Sequence, residues 1–389
     1  MFENIIGHAQ IIGQLKREIL TDRLPSSILL EGMPYSGKNT LALELARVIS
    51  CTGDRSWNCQ CQSCRSQKLV TNPDTLMIGP DNFMEEIQFT GELMLHKNEK
   101  ATRFMFIRAV RKLTRRFDPV FFDENETKFK KIQPVLEDIE TQLEEIIPEN
   151  DRYVPNEKKI EKTVQNCRTL LKEMNLATIP VNQLRKITFW SHTTTSESRK
   201  IVIIENAEKM NDSARNSLLK ILEEPPENTF FILLTSRLGE IIPTIKSRLR
   251  IYDLKDRTPE EKRMVVQRVF RDTSGSCSSI SEYIESFDPD IENINKLAVR
   301  FVSYFMAANK DPETKNYLKN EFKNIKSESL KIYFEKILSC ASKLDKNTDM
   351  FKLEKLNMYL RQSWFNFESL NISSDNILSD LLFFAGGVV

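Results

Sequence analysis

The sequence predicts an α/β protein: a parallel-sheet core of the P-loop type, interrupted by a long helical block and followed by helices to the end of the chain. Three observations carry this expectation. Ile201 to Ile204 is an unbroken β-branched run, which suits a strand buried on both faces of a parallel sheet. Residues 27–49 read as apolar strand, glycine loop and amphipathic helix, in that order. From about Phe83 to Ala177 the chain is charged, nearly free of glycine and apolar at helical spacing.

Length and composition set the limits. A chain of 389 residues calls for two or three domains, and a hydrophobic fraction of 40% is enough to fill their cores. Charged residues make up 29%, but the net charge is only +1, so no global basic field points to nucleic acid and any such surface is local. The opening MFENIIGHAQ lacks the basic-then-apolar order of a signal peptide. No apolar run approaches the roughly 20 residues of a membrane span. The expectation is a cytoplasmic protein without a membrane partner, whose thiols stay reduced. Seven cysteines then read as metal ligands plus a few buried thiols.

In chain order, Ile5 to Leu20 is expected to be a helix, with Ile11, Ile12, Leu15 and Ile19 on one face. After a turn at Leu24-Pro25-Ser26, the strand Ser27 to Glu31 runs into Gly32-Met33-Pro34-Tyr35-Ser36-Gly37-Lys38, which fits G-x-x-x-x-G-K. A helix follows over Thr40 to Ile49. In such a loop the glycines turn backbone N–H groups toward a phosphate, the helix start adds its positive end, and Lys38 supplies a charge. Asn39 stands where a serine or threonine hydroxyl would hold magnesium, and its amide is a poorer and bulkier ligand. The set Gly32, Gly37, Lys38, Asn39 and Thr40 is thus a degenerate P-loop, and ATP with Mg²⁺ in this chain's own site is left open.

Cys51, Cys59, Cys61 and Cys64 follow that helix directly. Four thiolates within fourteen residues suit tetrahedral zinc. A site of four sulfurs keeps no open position, so the zinc is expected to be structural.

A short strand ending at Ile78 leads into the helical block, expected to pack on itself. Its basic stretch, Lys100 to Phe117, carries Arg103, Arg108, Arg111, Lys112, Arg115 and Arg116. That stretch reads either as a DNA or protein contact or, in the preferred reading, as a solvated face with acidic partners in the next helix. Ile132 to Ile147 has amphipathic helical spacing. The core resumes at Pro180 to Ile187, and a polar stretch, Ser191 to Ser198, leads to the strand at Ile201. Glu205 and Asn206 stand at its carboxyl end, where open α/β sheets bind ligands. Asn211 or Asp212 caps the next helix, Pro225-Pro226 stops it, and the strand Phe230 to Leu234 ends at Thr235. Thr258-Pro259-Glu260-Glu261 is a strong helix start. Helices then continue, with breaks near Ser274-Gly275-Ser276, Asp288-Pro289 and Asp311-Pro312. The last runs from Asp375 to Ala385 and stops at Gly386-Gly387, and its Leu378, Leu381, Leu382 and Phe383 read as core or subunit contact, core being preferred.

The run Asn216-Ser217-Leu218-Leu219-Lys220-Ile221-Leu222-Glu223-Glu224-Pro225-Pro226, followed by Thr244-Ile245-Lys246-Ser247-Arg248, resembles the hallmark of bacterial DNA polymerase III clamp-loader subunits. These are AAA+ proteins of the delta-prime and gamma/tau kinds. The P-loop and the four-cysteine module come in the same order as in that family, and the likeness covers about residues 2–78 and 180–255. The resemblance implies an AAA+ core over 1–255 with the zinc module at 51–64; the helical block at about 83–177 is not part of the family pattern and is read, from its own change of character, as an insertion. It further implies a helical lid over 256–310 and a helical collar over 311–389 that joins subunits.

In the hydrolysing gamma/tau kind the strand corresponding to Ile201 to Ile204 ends Asp-Glu; here Glu205-Asn206 stands there. Asn206 cannot act as a base, and with Asn39 this argues against hydrolysis. The chain is more similar to the delta-prime kind, which keeps the fold, is not itself a working ATPase and lends its Ser-Arg motif to a neighbour. Carried over, Ser247-Arg248 would place an arginine finger in the neighbour's ATP site, and Thr235 matches the position that senses the γ-phosphate in hydrolysing relatives. Implied partners are the gamma/tau and delta subunits, indirectly the sliding clamp, and primed DNA through its backbone. Two other readings stand beside it. One is an active gamma/tau-like ATPase with Glu205 serving the magnesium, and the other a free-standing zinc and P-loop DNA-binding protein.

Overall fold

In a computed structural model the described residues are 1–387, apart from 124–125, 175–177, 194–198, 275–278, 288, 326, 343, 345–348 and 371. Parts of three expected features therefore lie outside the described residues: most of the polar stretch before Arg199, and the chain at Gly275-Ser276 and at Asp288. The far end of the helical block at Ala177 does so too.

Five strands, β1 Ser27–Gly32, β2 Thr75–Ile78, β3 Lys200–Ile204, β4 Thr229–Thr235 and β5 Arg250–Leu254, form one parallel sheet in the order β2-β3-β4-β1-β5. Alternation of side chains splits each strand between two apolar layers. Ile28, Leu30, Ile201 and Ile203 face one layer, whereas Leu29, Val202 and Ile204 face the other. The uninterrupted apolar runs of the sequence are explained by this two-sided burial. The first layer is closed by α1 (Ala9–Leu20) and α2 (Lys38–Ser50), the second by α8 (Val181–His192) and α9 (Asp212–Glu223). Helix α1 starts later than the sequence suggested because Gly7 and His8 both have positive φ, which no helix accommodates. Asn211, not Asp212, caps α9 by accepting from the Ala214 N–H, and the helix ends two residues before Pro225.

Helix α3 (Gln62–Lys68) follows the cysteine loop. Between β2 and α8 lie α4 (Phe83–His96), α5 (Lys100–Thr114), α6 (Thr127–Ile146) and α7 (Glu157–Lys172). Phe106, Ile107, Val110 and Leu113 of α5 meet Ile139 and Leu143 of α6 and Ile160 and Leu170 of α7 in a separate apolar core. The expected acidic partner in the next helix is present, as Glu140 of α6 beside Arg111, but the expectation that the basic face is solvated is overturned. Arg103, Arg111, Lys112 and Arg116 are all buried, because each finds an acceptor that the helix packs against. Arg111 pairs with Glu140 of α6 at 2.9 Å, and Lys112 pairs with Glu86 of α4. The block also reaches beyond itself: Arg115 donates to the carbonyls of Thr75 (2.6 Å) and Asn72 (3.0 Å) at the start of β2.

The short helix α10 (Pro243–Lys246) precedes β5. Helix α11 (Pro259–Arg268) starts where expected and is closed by a capping box between Thr258 and Glu261, and α12 spans Ile280–Glu285. The chain divides into two compact units, Met1–Ile284 and Glu285–Val389. In the second, α13 (Pro289–Met306), α14 (Pro312–Phe322), α15 (Leu330–Ser342), α16 (Met350–Leu370) and α17 (Ser374–Gly387) enclose one aromatic-rich core around Phe301, Phe305, Tyr333 and Leu381. The closing helix departs from the sequence reading in two ways. It runs through Gly386-Gly387, and Phe383 is 81% exposed while Leu378, Leu381 and Leu382 are buried.

Candidate functional site

Strand β1 delivers its chain into the glycine loop, and α2 begins at Lys38 directly after Gly37. Gly37 has φ +90°, and a Cβ there would stand 2.3 Å from Arg257 Nη2, so only glycine fits. The loop is pinned through its own carbonyls. His8 Nε2 lies 2.8 Å from the Ser36 carbonyl, Arg257 Nη1 donates to that of Tyr35 at 2.6 Å, and Lys38 Nζ donates to those of Gly32 (3.1 Å) and Met33 (3.4 Å). Burial lowers the Lys38 ammonium below its ordinary pKa, against the pull of Asp81, Glu208 and Glu205. Asn39 Nδ2 reaches Asp81 at 3.3 Å, and Thr40 is exposed. Beside the loop, a depression of about 180 Å³ is lined by Glu31, Asp253 and Asp256 together with Lys255, which pairs with Asp253 at 2.8 Å.

Glu205 and Asn206 close β3 on the same edge. Gly79, at the end of β2, has φ +105°, and a Cβ there would lie 2.1 Å from the Glu205 carbonyl, so the two chains touch backbone to backbone. Asn206 takes a left-handed turn and donates to the Pro80 carbonyl at 2.6 Å. Glu205 is not open to a ligand. Arg116 Nη2 binds its Oε2 at 2.5 Å, with both side chains 2% exposed, and Arg116 Nε donates to the Gly79 carbonyl at 3.1 Å. Burial raises the Glu205 carboxyl, and Arg116 pulls it back down. Thr235, fully buried at the end of β4, donates to Glu208 Oε2 at 2.7 Å. These groups do not fit the magnesium that a P-loop normally carries: one candidate ligand is held by a guanidinium, and Asn39 is turned to Asp81. A phosphate could still meet Lys38 and the start of α2.

The four cysteines do converge. Their Sγ atoms all lie within 4.8 Å of one another, with Cys51–Cys59 at 3.6 Å and Cys51–Cys61 at 3.9 Å. Tetrahedral Zn–S bonds of about 2.3 Å place sulfurs about 3.8 Å apart, so the donor set fits such an ion without rearrangement. The backbone N–H of Gly53 points at Cys51 (3.3 Å) and that of Cys64 at Cys61 (3.4 Å), as suits thiolate acceptors. Burial works upward on the Cys61 thiol, but backbone N–H groups of Cys64 and Thr52 outweigh it and lower it to about 6. Arg47 of α2 fixes the loop to the core. It binds Glu44, the carbonyls of Ser56 (2.8 Å) and Arg55 (3.0 Å), and Cys64 Sγ (3.2 Å).

Ser247 and Arg248 lie elsewhere. All strands are parallel, and the P-loop, Glu205 and Thr235 follow their carboxyl ends. Arg248 comes two residues before β5, whose Arg250 is paired with Ile28 at the start of β1. It therefore sits on the amino edge of the sheet, opposite its own P-loop. There it donates to the Thr244 carbonyl (2.8 Å) and to Glu223 Oε1 (2.5 Å), while Leu249 beside it is buried.

Sequence reasoning gave no site role to His8, Asp81, Arg116, Glu208, Glu223 and Arg257. Of these, Glu223 stood inside the quoted hallmark run and Arg116 in the basic stretch, but the partner of that arginine is 89 residues away.

Residues 7–258 match the family described as "DNA polymerase III, delta subunit". The chain is 40% identical over 95 residues to DNA polymerase III subunit delta' of Buchnera aphidicola subsp. Baizongia pistaciae, covering 24% of this chain and 28% of that one. It is 44% identical over 71 residues to the delta' subunit of Pseudomonas aeruginosa (18% and 22%). To DNA polymerase III subunit gamma/tau of Mycobacterium bovis it is 34% identical over 70 residues (18% and 12%). The matched stretches span less than a third of these relatives, at most 28%. Among the described residues no helix is long and apolar enough to cross a membrane. The resemblance first carried by the Leu218-to-Pro226 run thus extends over most of the first unit, and the chain belongs to the DNA polymerase III delta subunit family.

Proposed function

We propose that the chain is a non-hydrolysing subunit of a DNA polymerase III clamp loader, in which Arg248, with Ser247 beside it, completes the ATP site of a neighbouring subunit. One observation supports this best: Arg248 stands on the amino edge of the sheet and the chain's own P-loop on the carboxyl edge. An arginine so placed serves another molecule's nucleotide. A guanidinium delivered in trans neutralises charge as the γ-phosphoryl group leaves, an effect worth about 10³–10⁵ in rate. In the chain's own site, Asn206 offers no base and Asn39 no hydroxyl for magnesium.

The remaining parts take supporting roles. Cys51, Cys59, Cys61 and Cys64 hold a structural zinc, since four thiolates leave no coordination position for a reactant. In this reading residues 1–255 form the AAA+ core, α11 begins the lid expected over 256–310, and 311–389 is the collar through which gamma/tau and delta subunits assemble; α13, inside the expected lid range, packs in the core of the second unit with the collar helices. The sliding clamp is reached through those partners, and primed DNA through its phosphates without sequence readout. The setting is the cytoplasm.

The test is reconstitution with a hydrolysing gamma/tau subunit. Arg248→Ala is expected to abolish the DNA-stimulated turnover of the adjoining site while the complex still elutes intact. Failure of assembly instead, or unchanged turnover, overturns the finger. Robust ATP turnover by the isolated chain overturns the non-hydrolysing role.

A further inference from the structure

The ion pair between Arg116 and Glu205 joins two parts of the chain that the sequence keeps apart. Arg116 ends the basic stretch of the helical block, whereas Glu205 closes β3 at the position from which a P-loop protein reaches its divalent ion. We propose that Arg116 is a built-in replacement for that ion, and that the same pair clasps the helical block onto the sheet.

Three observations carry this. The guanidinium is directed at the acid and at the end of β2 together, through Nη2 to Glu205 (2.5 Å) and Nε to the Gly79 carbonyl (3.1 Å). It is stacked 5.1 Å from the ring of Phe83, the first residue of α4, so its place is fixed from the side of the block as well. Both side chains are 2% exposed, so neither charge has water as an alternative partner. A divalent ion at Glu205 would have to expel Arg116 into an apolar surround, or share one carboxylate with it and with nearby Lys38. Both alternatives leave buried positive charge uncompensated. Cation binding at Glu205 and closure of the helical block are therefore mutually exclusive. This holds whatever Arg248 does for a neighbour.

The pair is not fully bonded. Arg116 Nη1 and Glu205 Oε1 are buried without a hydrogen-bond partner among the described residues. An apolar pair of similar volume should therefore replace it without loss, whereas removal of one partner strands the other.

The experiment uses the full chain, loaded with zinc, and two readouts. In a Mn²⁺ titration with ATP followed by electron paramagnetic resonance, the parent chain and Glu205→Gln should give the same curve, and Arg116→Ala should bind Mn²⁺ at least about tenfold more tightly. One Mn²⁺ bound by the parent and lost in Glu205→Gln overturns the proposal, as does an Arg116→Ala curve equal to that of the parent. In thermal unfolding, Arg116→Met and Glu205→Leu should each lower the midpoint, and the double variant should recover to near the parent value. Additive losses overturn the clasp. If Arg116→Ala does not fold, this cycle still tests the clasp, and the comparison of the parent with Glu205→Gln still tests the ion replacement.

Discussion

Arg248 and Glu223 form a 2.5 Å ion pair on the amino edge of the sheet, one contributed by the turn before β5 and the other by the last residue of α9. Glu223 belongs to the Leu-Glu-Glu-Pro-Pro run and Arg248 to the Ser-Arg motif, so the two sequence hallmarks are in contact. Their side chains are 32% and 52% exposed, and an exposed pair contributes only about 0–1 kcal/mol. A triphosphate offering more negative charge can therefore take Arg248 from Glu223 at little cost.

Glu223→Gln should accordingly leave the protein within about 0.5 kcal/mol of its parent in denaturant unfolding. In the reconstituted complex it should change turnover far less than Arg248→Ala does. If both substitutions abolish turnover equally, Glu223 is part of the reacting site and not merely a resting place for the arginine.

The four-cysteine cluster gives a second prediction. Elemental analysis should find about one zinc per chain. Arg47 and Glu44 are each 1% exposed, and Arg47 spans from α2 to the cysteine loop. Arg47→Ala leaves Glu44 buried and unpaired, so a loss of about 3–5 kcal/mol is expected, together with faster release of zinc to a chelator. Denaturant unfolding and a chromogenic zinc assay read the two effects separately. Normal stability in Arg47→Ala would show that the loop is held by the metal alone.

A third prediction concerns pH. Burial, with Arg257 close by, holds His8 below its ordinary pKa, so the folded protein favours the neutral ring over Ser36. A base whose pKa falls on folding contributes stability that is complete above its unfolded value, about 6.5, and is lost as pH drops through the folded value. The cost of His8→Asn, a residue that tolerates the left-handed backbone there, should be largest near pH 8 and shrink toward pH 5. Parallel denaturation of both proteins at the two pH values checks this; a cost that grows on acidification contradicts it.

The P-loop, the cysteine cluster, four of the five strands and the Thr258 cap were legible because each is written locally, as spacing or as a turn. What the sequence hid was pairing at a distance. The bases of α5 and of the turn after it could be seen, but burial depends on what lies opposite, and the partners of Arg111, Lys112 and Arg116, namely Glu140, Glu86 and Glu205, are 29, 26 and 89 residues away. A charged helix with buried acceptors and one with a solvated face have the same spacing. The start of α1 was misplaced for a different reason. Ile5 and Ile6 continue the apolar pattern, but the positive φ of Gly7 and His8 is a backbone property that periodicity does not register.

The insertion of four helices between β2 and β3 has a bearing on the order in which the protein acquires its structure. Thr75 pairs with Ile201, a sequence separation of 126 residues (201 − 75). Closing such a loop from a disordered chain costs about 1.5 kcal/mol more than closing one of about 20 residues, and distant contacts of this kind slow folding. The helical block has an apolar core of its own around Phe106, Ile139 and Leu143. Once collapsed, it brings its two ends together and shortens the loop that β2 must span. During synthesis, then, the outer strand β2 is made long before its partner β3, and collapse of the intervening helices is expected to precede their pairing.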